Sequence, residues 1–162
     1  MNGSGGAVFF PTPFAVLGVH SDGQRLTGIR YLPLRTPTSA PCDAVTARFA
    51  RELERYLDDP SFRFTVPYGF DAGSNFDRAV WQEIAGIAAG VTLTYGELAR
   101  RIKSAPRPVG GACGRNPVPL VVPCHRVLAA TGLGGFMGGR RTFPISVKSW
   151  LLCHEGILDR SH

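Results

Sequence analysis

Three prolines in seven residues govern the segment Asn116–Val127, which reads Asn-Pro-Val-Pro-Leu-Val-Val-Pro-Cys-His-Arg-Val. Pro117, Pro119 and Pro123 each fix φ and remove a backbone donor, so the segment cannot be regular helix. Leu120, Val121 and Val122 are too apolar to face water. The segment is therefore expected to be a stiff, buried, extended run that ends at the thiol of Cys124. A rigid mount of this kind suits a nucleophile that must meet a carbon atom at a set distance and angle. A buried cysteine is more often a small inert hydrophobe. The adjoining His125 and Arg126 argue against that bland reading here.

Charge narrows the partner. Residues 1–77 carry seven Lys/Arg against eight Asp/Glu, but Leu98–Lys148 holds nine Lys/Arg and no acidic residue. One sign of charge over 51 residues creates a positive field that favours a polyanion such as nucleic acid. A basic surface kept for solubility is the competing reading. A hydrophobic content of 44% excludes a mainly disordered chain, and no run reaches the ~20 apolar residues of a membrane span. The opening Met-Asn-Gly-Ser-Gly-Gly lacks the basic region of a secretory signal. Cys42, Cys113, Cys124 and Cys153 are widely spread with no C-x-x-C pair, which points to a reducing cytoplasm and to no disulfide framework or structural metal.

Pattern along the chain predicts an α+β protein in two lobes. In residues 1–70, Val8–Phe10, Phe14–His20 and Leu26–Leu32 read as a β meander with a turn at Ser21-Asp22-Gly23. Asp43–Leu57 has helical spacing, and Phe62–Val66 alternates as one more strand. This lobe is expected to be a scaffold. In residues 71–162, Asn75 is placed to cap a helix over Phe76–Ala89. Thr94-x-x-Glu97 forms a capping box for Tyr95–Ile102, and Pro106 or Pro108 opens a helix that runs to about Gly114. Two short helices joined by a tight turn in the most basic stretch suggest a helix-turn-helix, with Gly110 and Gly111 baring one face between Arg107 and Arg115. A Gly-rich loop at Thr131–Gly139 precedes a helix over Val147–His154, with Ser146 as its N-cap and Gly156 after its end.

Pro123-Cys124-His125-Arg126-Val127, Val109-Gly110-Gly111-Ala112, Asn116-Pro117-Val118-Pro119 and Trp150-Leu151-Leu152-Cys153-His154-Glu155-Gly156 together resemble the O6-alkylguanine-DNA alkyltransferase family. The resemblance runs from about Phe76 to Gly156 and is weak before that. It implies a ribonuclease H-like first lobe and a winged-helix-like DNA-binding second lobe. It further implies direct-reversal repair: the protein flips O6-alkylguanine, mainly O6-methylguanine, out of double-stranded DNA and moves the alkyl group irreversibly to Cys124. In that scheme His125 draws off the thiol proton through a water, Glu155 holds the imidazole tautomer, and Asn116 holds the turn around the site. Tyr95 rotates a phosphate and donates a proton toward the leaving guanine, while Arg107 fills the base stack. Gly96, Gly110, Gly111, Arg115, Arg126 and Ala130 would join Tyr95 and Arg107 at the DNA. Pro119, Val127, Phe136 and Met137 would line the alkyl pocket.

The resemblance implies a monomer acting on DNA in the cytoplasm, or the nucleus of a eukaryote, with no cofactor and no membrane. The zinc site of some members has no counterpart here, so no metal is expected. Phe136 stands where a tyrosine often lines the pocket, Met137 where a small residue is common, and Arg140–Ile145 reads as an insertion. The turn between Tyr95 and Arg107 is about two residues shorter than the family's usual spacing. A non-catalytic lesion sensor and a cysteine hydrolase of small amides or esters are the alternatives. Related sensors carry tryptophan in place of the cysteine, which Cys124 argues against.

Overall fold

The computed structural model describes residues 6–137 and 142–159. Its chain divides between Asp71 and Ala72 into two compact units. The fold is mixed α+β, with a small antiparallel sheet and five α-helices among the described residues.

In the first unit, β1 (Val8–Pro11), β2 (Val16–Ser21) and β3 (Leu26–Leu32) form an antiparallel meander in the order β1-β2-β3. The register pairs Val8 with Val19 and Val16 with Leu32. Gly23 at φ 92° and the Asp22 carboxylate, which accepts from the N–H groups of Gln24 and Arg25, make the predicted turn. Helix α1 (Ala44–Asp58) packs on β2 and buries Val45, Phe49, Leu53 and Tyr56, the face expected from their spacing.

The predicted strand at Phe62–Val66 does not form. Buried Glu52 takes the place of a neighbouring strand, because its Oε1 accepts from the backbone N–H of Thr65 at 2.8 Å and of Val66 at 3.0 Å. A carboxylate that satisfies two adjacent backbone donors removes the need for a ladder. Phe64 packs instead with Phe49 and Tyr56, and Phe62 meets Phe64 edge-on.

The second unit begins with α2 (Asn75–Ala85). Ser74, not Asn75, is its N-cap, in a reciprocal capping box with Asp77. The helix ends at Ala85 rather than at Ala89, with Gly86 as its C-cap. Trp81 donates from Nε1 to the Ala112 carbonyl at 2.8 Å, which ties α2 to α4 (Pro106–Gly114). Between them, β4 (Leu93–Thr94) leads directly into α3 (Tyr95–Arg101), capped by the Thr94–Glu97 box.

The tight turn from α3 to α4 is closed by bonds from Ser104 N–H to Ala99 and from Lys103 N–H to Arg100. This is a Schellman turn in which Lys103, at φ 58°, occupies the left-handed position that glycine usually takes. Pro106 opens α4 at N1, where its missing donor costs nothing.

The Asn116–Val127 segment is not extended. It folds back on itself, with Val122 N–H bonded to Val118 O at 2.9 Å and Leu120 at φ 77°. Asn116 fastens both ends of this turn, accepting from Val118 N–H at 3.0 Å and donating to Val122 O at 2.8 Å. Cys124–Arg126 is one turn of 3-10 helix, and β5 (Val127–Leu128) pairs in parallel with β4, a pairing the two-residue strands gave no sign of.

Helix α5 (Thr142–His154) starts well before the predicted Val147, so Ser146 lies inside it and is no N-cap. Part of the supposed insertion is thus the first turn of this helix, and Pro144 fits there for the same reason as Pro106. Gly139, Arg140 and Arg141 lie outside the described residues. Gly156 adopts φ 79° just past the helix, as its position predicted.

Candidate active site

Cys124 is 3% exposed and opens the 3-10 turn, directly after the Asn116-fastened loop. Burial pushes its thiol up to about 11, while a hydrogen bond from Asn116 and the positive charge of Lys148 act in the opposite direction. The thiol is therefore protonated at rest near neutral pH.

His125 is fully buried, and its Nε2 lies 2.8 Å from Glu155 Oε2. Burial lowers the imidazole's affinity for a proton even against the pull of Glu155, so the ring is neutral. Burial would raise Glu155, but hydrogen bonds from His125 and Arg126 outweigh it and hold the carboxyl at about 2. Glu155 is thus a carboxylate and can only accept. Nε2 of His125 must then carry the ring proton, which leaves Nδ1 with a lone pair. Nδ1 is buried and has no hydrogen-bond partner among the described residues. The ring is set up as a base.

Arg126 was assigned to DNA from the sequence, but it is 8% exposed and turned inward. It donates to Glu155 from Nε and Nη2, and from Nη1 to the Ile87 carbonyl at 2.6 Å. That last bond takes a carbonyl two residues past the end of α2.

A cavity of about 380 Å³ is lined by Cys124 together with Tyr95, Gly110, Gly111, Cys113, Gly134 and Phe136 among others. Tyr95 is half-buried, and its hydroxyl reaches the Gly135 carbonyl at 3.4 Å. Burial pushes this hydroxyl up to about 12, so it stays a donor. Phe136 and Met137 line the cavity as expected, whereas Pro119 and Val127 do not. Pro119 bridges Val122 within the folded-back turn, and Val127 is spent in the pairing with Leu93.

The remaining sequence candidates separate by exposure. Arg107, at the second position of α4, is exposed, as are Gly111 and Ala130; Gly96 and Gly110 are half-buried. Arg115 is turned toward Asp77, which it grips with Nη2 at 2.7 Å and Nε at 3.2 Å.

Lys148 escaped the sequence reading. It is fully buried, and its Nζ donates to the carbonyls of Val127, Leu133 and Gly135 at 2.8, 2.7 and 2.9 Å. Burial lowers the ammonium to about 8. Its signal was present: Lys148 sits three and four residues before Leu151 and Leu152 on an apolar stripe where a solvated lysine has no place. Among the described residues, no group of three or more His, Cys, Asp or Glu is placed to hold a metal ion, and no helix is long and apolar enough to cross a membrane.

Fold and site together define a protein that holds a buried thiol, a carboxylate-bound imidazole and an arginine-bearing helix pair in one unit. Comparison with known proteins gives that class its family. The sequence model for the 6-O-methylguanine DNA methyltransferase, DNA binding domain, matches residues 75–157. The chain belongs to the 6-O-methylguanine DNA methyltransferase family.

A methylated-DNA–protein-cysteine methyltransferase of Archaeoglobus fulgidus is 38% identical over 90 residues, covering 56% of this chain and 60% of that protein. One from Cricetulus griseus is 30% identical over 175 aligned positions, covering 93% of this chain and 82% of its own. The crystal structure of Mycobacterium tuberculosis OGT in complex with DNA superposes with a TM-score of 0.75 at 31% identity, covering 91% of this chain and 90% of that one.

Proposed function

We propose that this protein repairs double-stranded DNA by direct reversal, moving the alkyl group of O6-alkylguanine, mainly O6-methylguanine, onto the sulfur of Cys124. The observation that carries this reading is the buried Glu155–His125 pair, which leaves Nδ1 of a neutral imidazole as a base beside a buried thiol. The names of the relatives, methylated-DNA–protein-cysteine methyltransferase, agree with it.

His125 takes the thiol proton at Nδ1, through a water, and Glu155 stabilises the imidazolium that results. The thiolate attacks the alkyl carbon, a sulfur–carbon bond forms, and the carbon–oxygen bond breaks. Its electron pair passes to the guanine, which takes up a proton from the Tyr95 hydroxyl. Tyr95 recovers a proton from solvent. Asn116 serves by fixing the loop that presents the sulfur, and Lys148 by drawing the carbonyls of Leu133 and Gly135, on either side of the lining Gly134, together. A thioether has no ready route of hydrolysis, so each molecule acts once. No cofactor enters any of these steps.

The target base must leave the helix before the thiol can reach it. Unstacking costs a few kcal/mol, offset by phosphate contacts and by an inserted side chain. Arg107, exposed at the start of α4, supplies the insertion, and the exposed or half-buried Gly96, Gly110, Gly111 and Ala130 let the DNA approach closely. The protein acts as a monomer wherever the cell keeps its DNA.

Incubation with duplex DNA carrying O6-methylguanine, followed by intact mass spectrometry, tests this. The protein should gain one methylene, mapped to the Cys124 peptide, and Cys124→Ser should bind the lesion without gaining mass. An unchanged mass in folded, reduced protein would overturn the reading.

A further inference from the structure

Helix α4 contributes four residues to the wall of the acceptor cavity: Gly110, Gly111, Cys113 and Gly114. Only Cys113 carries a side chain there. Cys113 thus lines the cavity together with Cys124, on a stretch of wall whose other α4 residues are glycines. Both cysteines are free and both are buried, Cys113 at 6% and Cys124 at 3% exposure.

Asn116 joins them. Its backbone N–H bonds to the Cys113 carbonyl at 3.3 Å, and its side chain reaches the Val122 carbonyl, to which the Cys124 N–H also bonds at 2.8 Å. Charge on Cys124 disfavours ionisation of Cys113, which places the two groups within electrostatic reach, and the Lys148 ammonium favours both thiolates.

We propose that Cys113 is a resolving thiol for Cys124, so that peroxide converts the pair to an intramolecular disulfide. The chemistry closes with hydrogen peroxide as oxidant. The Cys124 thiolate attacks one peroxide oxygen, the O–O bond breaks, and hydroxide leaves with the electron pair to give a sulfenic acid. The Cys113 thiol, losing its proton, then attacks the Cys124 sulfur and expels hydroxide, which takes up that proton as water. Two thiols lose two electrons in all, and the peroxide becomes two waters. The disulfide shields the acceptor from irreversible oxidation to sulfinic acid and returns to two thiols with a dithiol reductant. While it lasts, Cys124 cannot accept an alkyl group.

The experiment uses DNA-free full-length protein, so that its outcome is independent of alkyl transfer. Protein treated with hydrogen peroxide is blocked at its remaining thiols, digested and mapped by mass spectrometry. A bridged Cys113–Cys124 peptide, two hydrogens lighter than the sum of its parts, is expected, and dithiothreitol should abolish it. Cys113→Ala should instead accumulate Cys124 sulfinic acid, about tenfold more than the native sequence at the same exposure. Cys113→Ser provides the same comparison if the alanine variant misfolds, with the melting transition checked first. Overoxidation of Cys124 in the native sequence without a bridged peptide overturns the proposal, and so does a bridge that uses Cys42 or Cys153 instead.

Discussion

Arg126 forks the carboxylate of Glu155, with Nε 2.7 Å from one oxygen and Nη2 3.0 Å from the other. Because Glu155 also holds His125, the arginine sets the base indirectly, by fixing the group that fixes the ring. Removing one partner of a buried pair leaves a charge without compensation, which costs about 3–5 kcal/mol. Arg126→Met should therefore lower the urea midpoint and the Tm sharply. The salt dependence of DNA affinity should stay as it was, because a buried guanidinium neutralises no phosphate. A variant with normal stability and a weaker salt slope would return Arg126 to the DNA face.

The same carboxylate gives the protein an acid limit. Glu155 is held at about 2, below its ordinary 4.5, so its contribution to stability is fully present above about pH 4.5. It is lost as pH falls toward 2, where the folded form also takes up the proton. Urea titrations at a series of acid pH values should show this decline in the native protein. Glu155→Gln, which cannot titrate, should start less stable and lose less over the same interval.

A neutral imidazole that accepts at Nδ1 should contribute to alkyl transfer as a general base does, about 10²–10⁴-fold in rate. His125→Ala should slow single-turnover transfer by that order at neutral pH. The pH profile separates this role from a structural one. Without its base, the thiol must ionise by itself, so the variant's rate should climb about tenfold per pH unit toward the value of about 11 that burial imposes on Cys124. The native protein should show a much flatter profile. Parallel profiles would mean that His125 only packs.

Much of the site was legible because its chemistry is written in contiguous residues. Pro123-Cys124-His125-Arg126 and the Thr94–Glu97 capping box are local signals, and both appear where their spacing placed them. The misses have a common cause in polar side chains that bond backbone groups, which hydrophobic spacing does not register. Phe62–Val66 alternates like a strand, but the Glu52 carboxylate, thirteen and fourteen residues away, takes its donors. The Asn116–Val127 run looked extended from its prolines, yet Asn116 draws Val118 and Val122 together and folds it back. Arg126 and Lys148 added to a positive field in the count of charges. Both in fact point inward, where carbonyls and a carboxylate consume them. Composition counts charges without saying which of them reach solvent.

Arg107 and Arg115 bracket α4 in the sequence, and the structure separates their roles. Arg107 is exposed, whereas Arg115 makes a two-point contact with Asp77, itself only 5% exposed at the start of α2. Loss of Arg107 should weaken binding to any duplex and reduce the salt slope of affinity by about one, because one phosphate-side cation is gone. It should also slow transfer more than it weakens binding if the side chain fills the space of the flipped base. Arg115→Ala should act first on stability. It strips a charge-assisted pair from Asp77, which keeps its bonds to Ser74, and the pair's own outer face is half in water, so a loss of about 1 kcal/mol is expected. Affinity measured at two salt concentrations, alongside a urea melt, distinguishes the pair. Arg115→Ala with native stability and a lowered salt slope would place that arginine on the DNA after all.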